Sequence, residues 1–155
     1  MQLWQFWLLC ALGALILLLL IWRAYAKWHA RLERDFTRRL ETVLQPKETI
    51  RIVCPGREGH WVLTSKRLLM EEGDGFFAVP FTKLRNLQGQ DKTGKATAAP
   101  AKMAQLTVNG TYTFHGRGKT FPEFAKELKA QVKKQTDKIK ARDAAKRQKA
   151  KKEGF

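Results

Sequence analysis

Cysteine and histidine are scarce in this chain, with two and three residues among 155. Cys10 lies in an apolar N-terminal run and Cys54 in a strand-like stretch beyond it, so they are not placed to pair, and a disulfide framework is excluded. This agrees with a reducing compartment. Neither cysteine has a second ligand at zinc spacing, and the histidines stand in separate segments, at His29, His60 and His115. We therefore predict no metal site and no cofactor.

The sequence also lacks the motifs of common enzyme chemistry. No Walker or dinucleotide-binding loop occurs, because residues 116–118 (Gly-Arg-Gly) are too short for either, and Ser65 has no nucleophile elbow around it. Glu71, Glu72 and Asp74 cluster in a predicted hairpin. Acidic side chains at a turn are usually exposed, so this cluster does not indicate a catalytic site. We therefore predict that the protein is not an enzyme and takes no small-molecule substrate.

Charged side chains are missing from the N-terminal segment 1–22, which contains no Lys, Arg, Asp or Glu. The run from Leu3 to Trp22 includes one polar side chain, Gln5. At about 1.5 Å rise per residue a helix over this run spans roughly 30 Å, the hydrocarbon thickness of a bilayer. The sequence thus predicts a transmembrane helix over residues 1–22. Aromatic rings mark both expected interfaces with the lipid headgroups, at Trp4, Trp7, Trp22, Tyr25 and Trp28.

Two interpretations of this segment stay open, a membrane anchor and a cleaved signal peptide. Residues 24–26 (Ala-Tyr-Ala) resemble a cleavage site, but no Lys or Arg precedes the apolar run and basic residues follow it at once, which favours the anchor. We expect a single pass through the plasma membrane, with the N-terminus outside and the rest cytoplasmic. This orientation follows from six basic residues close to the membrane exit: Arg23, Lys27, Arg31, Arg34, Arg38 and Arg39.

Residues 23–45 continue the helical pattern, with no Gly or Pro before Pro46. One interpretation is a basic amphipathic helix on the anionic inner leaflet, where the six basic residues contact lipid headgroups. The other is that the apolar stripe packs on the following domain or on a second copy, while the basic residues stay solvated among interleaved acids. The stripe repeats every three or four residues, at Tyr25, Trp28, Leu32, Phe36, Leu40 and Val43.

After Pro46 the helical spacing gives way to short apolar runs between turn residues. These runs predict strands over residues 49–54, 60–63, 67–71, 76–79 and 84–87. Residues 89–102 lack periodicity and predict an exposed loop.

The clearest signal beyond that loop is Asn109-Gly110, which suits a type I′ turn between two strands. Alternation then places one buried face at Leu106, Val108, Tyr112 and Phe114. Next, Thr120 and Glu123 form a capping box that opens a helix. The sequence predicts an α+β fold: an N-terminal transmembrane helix, then a small β-barrel over residues 46–132 closed by a C-terminal helix.

One part of this domain resembles a known family. Residues 61–70 (WVLTSKRLLM), 76–81 (FFAVPF) and 82–87 (TKLRNL) resemble the core of bacterial pleckstrin-homology-like (PH-like) and GRAM-like domains. The resemblance covers residues 46–132 and implies a binding or scaffolding role. Basic residues are scattered here, whereas eukaryotic relatives that bind phosphoinositides cluster them. The resemblance therefore does not imply phosphoinositide recognition. Lys66 and Arg67 either form a solvated turn or contact an anionic ligand.

Residues 133–155 form a lysine-rich tail with ten Lys and Arg against three Asp and Glu. Ile139 is its one large apolar residue before Phe155, so we expect the closing helix to extend into solvent and fray. The charge suits anionic lipid or RNA, or it only keeps the domain soluble. No aromatic residue interleaves the lysines, which disfavours base stacking.

These features lead to two function hypotheses. The first is a single-pass, membrane-anchored, non-catalytic PH-like module that docks a protein partner or anionic lipid headgroups at the cytoplasmic face. The alternative is a protein that contacts nucleic acid or the ribosome at the membrane through residues 133–155. A third class, a hydrolase, would require a deep pocket with convergent polar groups.

Overall fold

The computed structural model describes residues 3–153 and divides the chain into two compact units between Leu44 and Gln45. The first unit is a single helix, α1, over Leu3–Val43. Its 41 residues run without a break, so at about 1.5 Å per residue α1 is roughly 60 Å long. The predicted membrane segment and the predicted juxtamembrane helix are therefore one continuous helix.

The second unit contains two antiparallel sheets and a helix. The first sheet has the order β1-β2-β3-β4 and the second the order β5-β6-β7. The chain then ends in α2, over Phe121–Glu153. The strands are β1 Ile50–Pro55, β2 His60–Thr64, β3 Arg67–Glu72, β4 Gly75–Pro80, β5 Leu87–Gln90, β6 Gln105–Val108 and β7 Tyr112–His115.

The two sheets meet just after the C-terminal ends of β1 and β7. Gly56 and Gly116 form an isolated antiparallel bridge there. The Arg57 amide donates to the His115 carbonyl over 3.0 Å and the Arg117 amide to the Pro55 carbonyl over 2.9 Å. Within residues 3–153 the two sheets do not form a closed barrel, so the predicted α+β class is confirmed and the small barrel stays a prediction.

The core lies between the two sheets and the start of α2. Trp61 of β2 stacks on Phe114 of β7, with ring centroids 4.6 Å apart and an interplanar angle of 18°. Phe121 and Phe124 of α2 pack against the same Phe114 ring, with ring centroids 6.0 and 6.1 Å from its own. Burying one such side chain contributes about 1.5–3 kcal/mol, so this aromatic cluster holds α2 on the sheets.

The fifth strand lies later in the chain than predicted. Residues 81–83 form a 3-10 turn, and the Leu84 amide donates to the Phe81 carbonyl over 3.1 Å. The strand starts at Leu87, which pairs with Val108 of β6. The predicted loop over 89–102 therefore begins only after Gln90, and it includes a second 3-10 turn at 100–102.

The predicted hairpin and closing helix are confirmed. Asn109 and Gly110 both have positive φ, 55° and 70°, and the Thr111 amide donates to the Val108 carbonyl over 3.1 Å. Helix α2 begins at Phe121, directly after Thr120, as predicted. It continues through the lysine-rich tail to Glu153, so the tail is helical far beyond the core.

Candidate functional site

The first candidate site is the apolar half of α1. Residues 3–35 are all exposed, including every large side chain from Leu3 to Trp22. Within the described chain this is one helix long and apolar enough to cross a membrane, a test that a signal sequence near the N-terminus also passes. A helix that is hydrophobic on every side needs lipid or another apolar partner around it.

The predicted interfacial aromatics lie along this helix. Trp4, Trp7 and Trp22 are between 57% and 70% exposed. Tyr25 and Trp28 both contact the His29 ring edge-on, at centroid distances of 4.4 and 5.7 Å. Their rings therefore flank the apolar segment on both sides, where headgroups would lie around a membrane-spanning helix.

Residues 23–43 of α1, the predicted juxtamembrane part, separate basic from apolar side chains. At about 100° per residue, five of the six predicted basic residues share one face, opposite the apolar stripe, whereas Arg39 lies towards the stripe and is partly buried. The Arg34 guanidinium donates to the Ala30 carbonyl over 3.1 Å. The five residues of this face, called the basic face below, are Arg23, Lys27, Arg31, Arg34 and Arg38.

The other predicted contact residues, Lys66 and Arg67, lie in the second unit. Arg67 forms a two-point ion pair with Glu48, in which its Nε and one terminal nitrogen each donate over 3.0 Å. The side chains of Arg67 and Glu48 are only 13% and 0% exposed. Lys66 donates from Nζ to the Pro46 carbonyl over 3.0 Å. Both cations are thus engaged by their own chain, and Arg67 is mostly buried rather than solvated.

Glu48 is held by more than one partner. The Thr64 hydroxyl donates to its Oε1 over 2.6 Å and the Gln45 amide donates to its Oε2 over 2.8 Å. Burial alone raises the pKa of this carboxyl, but the hydrogen bonds from Arg67, Thr64 and Gln45 outweigh it, so the pKa of Glu48 is lowered. The sequence did not single out Glu48, because nothing in its local pattern signals burial.

An acidic cleft of about 350 Å³ opens between the β3–β4 and β6–β7 hairpins, lined by Glu58, Glu71 and Glu72 beside aromatic rings. Glu71 accepts from the His60 amide over 2.9 Å and also contacts the His60 ring at Nδ1. Burial raises the pKa of Glu58, but hydrogen bonds from the His115 amide and ring outweigh it, so that pKa is lowered. Carboxylates in this cleft repel anions, so it does not suit a phosphate headgroup.

A second groove, of about 510 Å³, runs beside β5. Its wall includes Leu87, Met103 and the stem of Lys129, whose Nζ donates to the Ala98 carbonyl over 2.9 Å. The loop after β5 covers part of this strand edge, because the Thr97 amide donates to the Gly89 carbonyl over 2.9 Å.

Among the described residues no group of three His, Cys, Asp or Glu is placed to hold a metal ion.

Comparison of the chain with protein-family models, with curated proteins and with solved structures found no match.

Proposed function

We propose that this protein is a single-pass plasma-membrane protein whose second unit is a non-catalytic, PH-like binding or scaffold module at the cytoplasmic face. The observation that carries the proposal is the exposure of α1 on all sides from Leu3 to Trp22. An apolar helix of this length with no protein packed on it is stable in a bilayer and strongly unfavourable in water.

The PH-like part of the proposal is supported by the order of elements. Four strands form one antiparallel sheet, three form a second, and the helix that follows packs Phe121, Phe124 and Leu128 into the core between them. This arrangement accompanies the sequence resemblance over residues 61–87. A domain of this kind presents loops and strand edges to a ligand, and the groove beside β5 offers such an edge.

The basic face of α1 supports the cytoplasmic orientation. Its five positive charges follow the apolar segment directly, and no Lys or Arg precedes that segment. Lys and Arg near a membrane exit favour the cytoplasmic side. The anionic inner leaflet also attracts such residues by about 1 kcal/mol each.

The anchor is tested by carbonate extraction of cells that produce the full chain. We expect the intact chain, with residues 1–22 still attached, in the membrane pellet. Replacing Leu12 and Leu17 by Lys should release it, because each charge at a helix centre costs about 2.5–3.5 kcal/mol, whereas replacing both by Ala should not. A mature chain starting near Lys27, or full-length chain in the supernatant, would show that the proposal is wrong.

The binding role is tested by photo-crosslinking in intact membranes from position 88, an exposed Gln on β5 beside the groove. We expect one protein to be captured by the full chain and equally by a chain lacking residues 133–155. Crosslinking from position 119, an exposed Lys before α2, is the control. Capture that disappears with residues 133–155 would contradict a docking role for the second unit.

A further inference from the structure

The distal part of α2, residues 133–151, carries its positive charge in two stripes. At about 100° per residue the stripes lie on roughly opposite sides of the helix. Every residue from 140 to 151 is exposed. Stripe A consists of Lys134, Lys138, Arg142, Lys146 and Lys149, and stripe B of Lys133, Lys140, Arg147 and Lys151.

Mostly short or uncharged side chains separate the stripes, with one acid on each intervening face. This differs from the juxtamembrane part of α1, where one basic face stands opposite an apolar stripe. A helix that lies on a bilayer buries an apolar face in the headgroup region. Distal α2 has no such face, and on a flat anionic surface one of its stripes would point away from the charge. One intervening face holds Asp137, Ala141, Ala144 and Gln148, and the other holds Ile139, Asp143 and Ala150.

We infer that distal α2 binds in the major groove of B-form duplex DNA. A helix in that groove is flanked by phosphates on both sides, which matches two opposed stripes of Lys and Arg. The groove is about 12 Å wide and admits a helix of about 10–12 Å diameter. The alanines between the stripes leave room for close approach to the groove floor. The deep, narrow major groove of A-form RNA does not admit a helix in this way.

The contacts in this complex are to phosphates, so binding is independent of DNA sequence and falls steeply with salt. Neighbouring cations within stripe A, such as Lys134, Lys138 and Arg142, are spaced by four positions and repel each other in the free helix. Phosphates beside them remove that repulsion. The inference does not depend on what the second unit docks, so the two proposals can fail separately.

The test uses the full chain in zwitterionic lipid nanodiscs and a fluorescent DNA duplex of three helical turns, with anisotropy measured across a KCl series. One variant changes four stripe A residues to Gln and another changes the four stripe B residues to Gln. We expect each to bind at least about tenfold more weakly and to reduce the slope of log K against log salt by about 3 to 4. The stripe A changes are Lys134→Gln, Lys138→Gln, Arg142→Gln and Lys146→Gln.

A matched control removes the same charge from exposed positions of the second unit before α2. We expect it to bind DNA within about twofold of the parent chain, because those lysines lie outside both stripes. Gln and Lys have similar helix propensity, so circular dichroism should show unchanged helix content in all variants. A stripe A variant in which Lys134, Lys138 and Lys146 are changed to Arg and Arg142 is kept should bind DNA with parental affinity. The control changes are Lys83→Gln, Lys92→Gln, Lys95→Gln and Lys119→Gln.

Three results would overturn the inference. The first is a variant of either stripe that binds DNA like the parent, because contact would then be one-sided. The second is equal or tighter binding of an RNA duplex of the same length. The third is no DNA binding at the lowest salt together with tail-dependent binding to vesicles of phosphatidylserine and phosphatidylcholine, which would make a lipid surface the partner of distal α2.

Discussion

At the scale of single residues, Arg67 and Glu48 give the clearest energetic prediction. Removing one partner of a buried ion pair leaves the other charge without compensation and costs about 3–5 kcal/mol. We therefore expect Arg67→Met to destabilise the second unit by about that amount. The measurement is chemical unfolding of the full chain in detergent, monitored by near-ultraviolet circular dichroism.

The matched control for that variant is Arg51→Met. Arg51 pairs with Glu127 over 2.7 Å, but the two side chains are 45% and 35% exposed. Exposed ion pairs contribute about 0–1 kcal/mol, so this change should have little effect. If the two variants lost equal amounts of unfolding free energy, the burial of Glu48 would have no energetic consequence.

The lowered pKa of Glu48 leads to a prediction about acid. Since the folded-state pKa lies below the unfolded value of about 4.3, the stabilisation is complete above about pH 4.3 and is lost as pH falls through the folded-state pKa. We expect the melting temperature of the parent chain to fall as the pH drops below about 4.3. Glu48→Gln should be less stable at pH 7 but lose less over that range. Parallel curves would contradict the assignment.

Asn109 shows why single residues resist prediction. Its place in a tight turn was clear from the sequence, because Asn-Gly tolerates positive φ. Its side chain also accepts from the Arg85 amide over 2.9 Å and donates to the Lys83 carbonyl over 3.0 Å. Those partners lie before β5, so β5, the loop after it and β6 separate them from the turn, and no local pattern contains them.

At the scale of elements, the joint between the two sheets depends on glycine. A Cβ on Gly116 would lie 1.8 Å from Cδ2 of Phe121, and one on Gly56 would lie 2.0 Å from Cε2 of Phe114. Both rings belong to the packed core and cannot move away freely. The lack of a side chain at Gly56 therefore leaves room for Phe114 of β7, and the lack of one at Gly116 leaves room for Phe121 of α2.

We therefore predict that Gly116→Ala destabilises the second unit by about 1–3 kcal/mol or more, as overpacking of a core does. Gly75→Ala is the matched control, because Gly75 has no positive φ and a Cβ there meets nothing within 4 Å. It should change stability by no more than about 0.5 kcal/mol. Thermal unfolding of both variants in the full chain measures the difference. A control as unstable as Gly116→Ala would place the cause in the backbone and not in the Phe121 contact.

Elements were predictable where the signal is local. The apolar run of α1, the Asn109-Gly110 turn and the start of α2 after Thr120 each depend on neighbouring residues. The fifth strand was predicted too early because its position is set by pairing with β6, and Leu87 pairs with Val108 across the sheet. Strand pairing between segments so far apart in the chain produces no pattern in the sequence of either segment alone.

At the scale of the whole molecule, the charge on α1 predicts its orientation. Changing the five residues of the basic face to Gln should reduce the fraction of chains with a cytoplasmic C-terminus, because the positive-inside bias is then weaker. A topology reporter fused after Phe155 measures that fraction. Changing five lysines of the distal tail to Gln is the control and should leave that fraction unchanged, because those lysines lie far along the chain from Trp22. An equal effect of both variants would contradict a local bias.

The sequence by itself determined the apolar helix, the α+β class and the uneven charge, because each depends on composition or on a period within one segment. Tertiary structure alone decided that Arg67 turns inward to Glu48, that the sheets meet at Gly56 and Gly116, and where β5 lies. The physical reason is that burial, pairing register and close packing are properties of residues distant in the chain, and they exist only once the backbone has brought those residues together.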